Sequence, residues 1–213
     1  MAVLNVNPTR MELTRLKKQL STALRGHKLL KDKRDELMRQ FLDMIRETKT
    51  LREEVEERLK SVNNDFVLAS SVMSKEELDT ALLAPKQEVY LEASTRNVMS
   101  VDIPVYSFKT RTSEQSDIFS YGFASTSFEL DDAVSGLSDL LPKMLKLAEM
   151  EKSVKLMADE IEKTRRRVNA LEYVMIPQLE ETIRYITMKL DENERGNLTR
   201  LMKMKELMKQ VEG

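Results

Sequence analysis

The sequence predicts a mainly α protein: a long antiparallel two-helix coiled coil with a small central head containing a short helix and a β-hairpin. Three observations predict it. One-third of the 213 residues are charged while only 5% are aromatic, a balance that favours long, solvated helices. Apolar residues recur at alternating steps of three and four near both ends of the chain. Between those ladders the pattern changes to period-two alternation, and seven of the eleven aromatic residues fall between residues 90 and 128.

The first helix has two alternative starts. Asn7-Pro8 offers a cap followed by proline at the first helical position, and Thr9 with Glu12 offers a capping box. From there a ladder runs Leu13, Leu16, Leu20, Ala23, His27, Leu30, Arg34, Leu37, Phe41, Met44, Thr48, Leu51, Val55. Ten of these thirteen positions are apolar, which reads as a coiled-coil seam and not as a broad globular face. It continues through Leu59, Val62 and Phe66, and the two successive steps of four from Leu51 through Val55 to Leu59 signal a stutter. A helix from residue 9 to about residue 70 would span roughly 90 Å.

The head follows. Ser74 and Glu77 cap a short helix that ends before Pro85. Val89 and Leu91, then Val101, Ile103 and Val105, alternate as hairpin arms around a polar turn at Ser94-Thr95-Arg96-Asn97, with Pro104 confining the second arm to an edge. Thr126-Ser127-Phe128-Glu129 is a capping box for the second long helix. Its ladder is Leu147, Met150, Val154, Met157, Ile161, Thr164, Val168, Leu171, Met175, continuing through Leu179, Ile183, Ile186 and Leu190. Pro142 is expected at a kink or restart. Pro177 falls mid-helix, where a missing N–H costs about 3 kcal/mol unless packing compensates. The segments are therefore 1–70 (first coiled-coil helix), 71–127 (head) and 128–213 (second coiled-coil helix). With the head joining them, the helices must run antiparallel. Residues whose numbers sum to roughly 200 should face each other, placing His27 near Tyr173.

Chemistry is poorly represented. There is no cysteine and a single histidine, so neither a Cys/His metal site nor a conventional triad can be assembled. The glycines form neither GxxxxGK[ST] nor GxGxxG, and the carboxylates line charged helix faces. No catalytic residue, cofactor or metal is expected. The chain start lacks a signal-type apolar region and no stretch approaches a membrane span, so a cytoplasmic chain is expected. His27 reads as a buried, hydrogen-bonded seam residue. Arg165-Arg166-Arg167 spreads over about 200° of helix, which argues for a solvated face or partner contact over nucleic acid. Asn193 and Asn197 fit either a buried register-setting role or a solvated one.

Charge is segregated. Residues 10–34 carry nine basic and two acidic side chains, and residues 195–212 carry five and two. Residues 65–132 carry five basic and twelve acidic ones. A net charge of -1 conceals a strong dipole, which calls for partners of opposite sign at the two ends.

The motifs NPTRMELTRLKKQL and RGHKLLKDKRDELMRQF, with EIEKTRRRVNALEYVMIPQLEETIRYI and LDENERGNLTRLMKMK, strongly resemble the D subunit of the V/A-type (vacuolar/archaeal-type) rotary ATPases. The resemblance spans nearly the whole chain and is weakest between residues 70 and 128. It implies a non-catalytic central-stalk component, peripheral to the membrane, that transmits torque between the ATPase ring and an ion-translocating rotor. The implied partners are the catalytic A and regulatory B subunits, the F subunit, and a socket subunit above the membrane rotor, with no nucleic acid and no membrane insertion. The resemblance further places the hairpin and anionic head at the membrane-facing end, and the F subunit near residues 40–60 and 130–160. A prefoldin-like chaperone and a structural coiled coil are the alternative readings.

The expected partner-contact residues lie at the C-terminal tip: Arg200, Leu201, Met202, Lys203, Met204, Lys205 and Met208. The second helix outlasts the first by about 20 residues by the fold-back register. Its end stays apolar on more than one side, through Leu198, Leu207 and Val211 as well, with Lys209 adding charge. An unpartnered surface of that kind marks an interaction site, although a frayed tail is the plain alternative.

Overall fold

A computed structural model describes residues 4–112, 115–122 and 126–211. Its elements in order are α1 (Arg10–Val72), α2 (Lys75–Leu82), β1 (Val89–Val98), β2 (Val101–Thr110), a 3-10 turn (Gln115–Ile118), α3 (Phe128–Ala170), a π-helical turn (Leu171–Met175) and α4 (Ile176–Val211). The chain divides into two compact units, one of residues 1–36 with 162–213 and the other of residues 37–161. The mainly α class and the hairpin are as the sequence predicts.

In the first unit α1 and α4 pair antiparallel. Arg10 meets Glu194 at 3.6 Å and His27 meets Glu172 at 3.5 Å, so the paired numbers sum to roughly 200. Leu16, Leu179 and Ile186 form the buried seam, flanked by Leu13, Leu20, Ala23, Ile183 and Leu190. Thr9, not Asn7, caps α1: its hydroxyl accepts the Glu12 N–H at 3.2 Å. The segment before the cap packs Leu4 and Val6 on the seam, and the Leu4 N–H donates to Thr182 Oγ1 at 3.1 Å. That bond occupies the acceptor side of the fully buried Thr182 hydroxyl, whose own proton goes to the Gln178 carbonyl.

Pro177 acts as expected on the helix, but the irregularity falls one turn earlier. The helix widens over Leu171–Met175, and the Ile176 N–H bonds back to the Leu171 carbonyl, five residues away. One extra residue in the turn rotates the seam. Met175, expected on it, is 50% exposed, while Ile176 is drawn partly inward. Pro142 causes no restart: α3 runs through it, and the proline is exposed, so water can satisfy the unbonded Ser138 carbonyl.

In the second unit α1 and α3 pair with the same arithmetic, through Arg52–Glu151 at 3.6 Å, the Glu54–Lys143 pair and the contact of Val62 with Gly136. Near its end the α1 seam departs from the ladder: Phe66 is 38% exposed, and Ala69 and Met73 are buried instead. They join Ala81 of α2 and Leu130 of α3, with Tyr121 and Val134 against them. Ser74 and Glu77 form the complete capping box of α2, which holds the Glu77 carboxyl below its ordinary range through the Ser74 backbone and side-chain bonds. The expected box at Thr126 does not form. α3 starts one residue later, and the Thr126 hydroxyl donates to the Gly122 carbonyl.

The hairpin register is Val98↔Val101 to Val89↔Thr110. Residues 94–97, expected as the turn, are therefore strand. The turn is Met99-Ser100, both at positive φ (51° and 71°), as a two-residue type I′ loop requires. Asn97 braces it, accepting the Ser100 N–H and donating to Asp102. The strain is offset by packing. Met99 and Val98 lie against a cluster of Val101, Ile103, Leu37, Met157 and Ile161, so the hairpin tip is held on α1 and α3.

Three outcomes follow from these contacts. Ser100→Gly should raise stability by about 1 kcal/mol, because a non-glycine residue at positive φ is disfavoured by that order; thermal melting checks it. A Cβ at Gly136 would stand 2.8 Å from Val62 Cγ2, a stiff branch. Gly136→Ala should therefore destabilise by about 1 kcal/mol or more, since overpacking outweighs the helix-propensity gain, and Val62→Ala should remove the penalty. Tyr121 donates to Asp131 at 2.8 Å, and burial first, then that bond, raise its phenol well above the ordinary range. A raised pKa means stability is full below about pH 10 and declines as pH rises beyond it. Melting curves of Tyr121→Phe should lose that part of the alkaline slope.

Candidate functional site

In α4, every position from Asp191 to Met208 is exposed. The reason lies in the first unit's register: Arg10, the first residue of α1, already stands opposite Glu194. A shallow recess of Arg10, Leu190, Asn193, Asn197, Leu198 and Leu201 marks the last place where α1 touches α4. Both asparagines are solvated there, which decides against a buried register-setting role. Beyond it Leu201, Met202, Met204, Leu207 and Met208 are each more than half exposed. At 100° per residue, Leu198, Leu201, Met202, Met204 and Met208 fall on one broad stripe, interrupted by Lys205 and bordered by Arg200, with Lys203 on the opposite side of the helix. The predicted residues are thus brought together on one unpaired helical end. Lys209 and Val211 belong to the same expectation, but their side chains lie outside the described residues.

The tip offers no chemistry beyond apolar contact and positive charge. No group of three or more His, Asp or Glu among the described residues could hold a metal ion, and no described helix is long and apolar enough to cross a membrane.

Two further surfaces are not anticipated by the ladders. On α1, Met38, Leu42 and Ile45 are exposed at helical spacing, one position round from the buried Leu37 and the partly buried Phe41 and Met44. The seam ladder takes one apolar residue per turn and leaves the second unexplained, and that surplus was the available signal. In the first unit, a groove of about 950 Å³ is lined by Leu4, Ala23, Leu171, Met175 and Leu179, with Arg15, Lys18 and Arg25 among its walls. It depends on the widened turn before Pro177 and on the folded-back N-terminal segment, neither of which periodicity reveals.

His27 lies on the seam, but it is only partly buried and not fully buried as expected. Its Nε2 is buried without a hydrogen-bond partner among the described residues, and the Glu172 carboxylate at 3.5 Å is its charged neighbour. Arg165, Arg166 and Arg167 are all exposed, and Arg166 pairs with Glu162 one turn away. The charge segregation follows the two units. Residues 1–36 with 162–213 carry 20 basic and 13 acidic side chains, net +7, and residues 37–161 carry 15 and 23, net -8.

Comparison with known proteins agrees with the motifs at both ends of the chain. The profile of the family described as the ATP synthase D subunit matches residues 12–206. The V-type ATP synthase D subunit of Acetivibrio thermocellus is 66% identical over 208 residues, covering 98% of this chain and 94% of that one. The proteins of the same name from Clostridioides difficile and Clostridium novyi are 62% and 60% identical, each over 98% of this chain and over 93% and 97% of their own lengths. With matches of this extent running through both seams and the segment between them, the chain belongs to the family of ATP synthase D subunits.

Proposed function

We propose that the chain is the non-catalytic central shaft of a V-type ATP synthase, carrying torque between the ATP-hydrolysing or -synthesising ring and the membrane ion-translocating rotor. In this reading it is peripheral to the membrane on the cytoplasmic side. Residues 1–70 and 128–213 are the coiled shaft and residues 71–127 its head. The observation that carries the proposal is the unpaired tip of α4, where an apolar, cationic helix end continues past the start of its partner helix. A collar made by the A and B subunits would bury that surface. Its three methionines suit a contact that repacks as the shaft turns, because the thioether side chain is flexible and polarizable. Each catalytic site then meets a different face of the shaft and is biased toward a different state, which couples rotation to nucleotide chemistry through differential contacts.

Opposite charge supports distinct partners for the two units. The anionic one would face the socket subunit above the membrane rotor, with the hairpin and head at the membrane-facing end. The F subunit would dock on the coil near residues 40–60 and 130–160, where Leu42, Ile45, Leu137 and Met144 are exposed.

Truncation after Asn197 tests the tip. Weaker association with the A/B ring and lower torque are expected in single-molecule rotation, with the F subunit still bound; unchanged ring affinity and rotation would make the tip dispensable. The complementary variant, Leu42→Glu with Ile45→Glu, should lower affinity for the F subunit by tenfold or more, on the order of 1.4 kcal/mol. Ring binding should be unaffected, and titration calorimetry separates the two.

A further inference from the structure

The two edges of the hairpin are treated differently by the rest of the chain. The type I′ turn makes Val98↔Val101 a hydrogen-bonded pair, so bonded pairs recur at Arg96↔Ile103, Ser94↔Val105, Glu92↔Ser107 and Tyr90↔Lys109. The intervening residues of each strand turn their backbone groups outward. On β2 that outward edge is protected: Pro104 has no N–H to offer, and the Tyr106 N–H donates to Glu149 of α3 at 2.9 Å. On β1 the outward N–H and C=O groups belong to Val89, Leu91, Ala93, Thr95 and Asn97, and among the described residues none of them meets a partner.

β1 carries little of the usual protection of an edge strand, only the charges of Glu92 and Arg96. It is ten residues long, contains no proline or lysine, and is exposed along all but its last residue. Its outward-turned residues also share a sheet face with Pro104, Tyr106 and Phe108, where Val89 is 40%, Leu91 50% and Phe108 38% exposed. On the opposite face Glu92 is neutralised by Lys109 at 2.7 Å, whereas exposed Arg96 has no ion-pair partner among the described residues.

We infer that β1 is a docking edge, to which an extended segment of another subunit of the ATP synthase adds as a third strand. That segment pairs its backbone with Val89, Leu91, Ala93, Thr95 and Asn97. It lays alternate apolar side chains beside Val89 and Leu91, on the sheet face that Phe108 shares, and it sets a carboxylate beside Arg96. Main-chain bonds supply the attachment, and the apolar row and the single cation select the sequence and register. The inference rests on membership of the complex, not on the shaft reading, so either can fail alone.

Residue-resolved amide hydrogen exchange on the isolated chain and on the assembled complex tests it. The amides of Leu91, Ala93, Thr95 and Asn97 should exchange freely in the isolated chain and slow at least about tenfold in the complex. Those of Glu92, Ser94 and Arg96, already bonded to β2, should be protected in both. Ala93→Pro removes an outward N–H and leaves the β1–β2 ladder whole, so the even-numbered protection should persist while the complex-dependent protection disappears. Arg96→Glu, which leaves the backbone untouched, should reduce that protection in the same direction. Equal exchange of the outward amides in the isolated chain and the complex would overturn the proposal, as would complex-dependent protection that survives both variants. Protection that rises with concentration of the isolated chain would assign the edge to a second copy and overturn it equally.

Discussion

A seam one side chain wide governs this molecule. Two long helices bury a residue every three or four positions and little else, so the buried set is small: Leu16, Val55, Met157, Val168, Leu179 and Ile186 with their neighbours. Each such side chain contributes about 1.5–3 kcal/mol when fully buried. Among the described residues only two small clusters supplement them, under the hairpin tip and beside α2, so antiparallel register is fixed largely by the seam contacts together with sparse polar marks. In the first unit the marks are Arg10 with Glu194 and the Leu4 N–H on Thr182. In the second they are Lys143 with Glu54 and the close approach at Gly136. The exposed ion pairs are individually weak, and in a seam this narrow they act mainly by excluding neighbouring registers.

The departures from a regular seam occur where a residue cannot satisfy helix and packing at once. Pro177 has no N–H for the Tyr173 carbonyl, and the turn before it opens by one residue. That opening swings Met175 outward beside the exposed Tyr173 and Val174, and it leaves Glu172 as the charged neighbour of His27. His27 Nε2 is consequently buried with a carboxylate near it but no hydrogen bond to it. The helical discontinuity, the lone histidine and the apolar groove lined by Leu171, Met175 and Leu179 are thus one local solution to one proline.

Periodicity made most of this legible. None of the thirteen α1 ladder positions from Leu13 to Val55 is exposed, and the register placed His27 within one residue of its actual neighbour. What failed did so for local reasons. The polar run Ser94–Asn97 has the composition of a turn, but turn position is set by strand register. A Met-Ser pair tolerates positive φ here because Met99 is packed against Leu37, Met157 and their neighbours. The capping box expected at Thr126 does not form, because α3 begins one residue later and the Thr126 hydroxyl donates to the Gly122 carbonyl instead. The surplus apolar stripe of Met38, Leu42 and Ile45 was visible in the sequence, yet a heptad reading asks only for one seam and discards the rest. For the tip, composition and register together predicted an exposed helical end, since both depend only on where α1 begins.

The same physics explains why exposure is informative here. A chain with a narrow seam has few ways to hide apolar residues, so scattered exposed leucines carry little meaning. Contiguous ones are different, because they lower solubility in a chain whose net charge is only -1. The tip stripe, the α1 stripe and the outer face of the hairpin are each contiguous, and the first and last sit beside directional polar groups: Arg200 and Lys205, or the open β1 edge. An apolar surface that merely awaited burial would need no such neighbours. Paired with directional polar groups, it can select a partner by sign and register as well as by area.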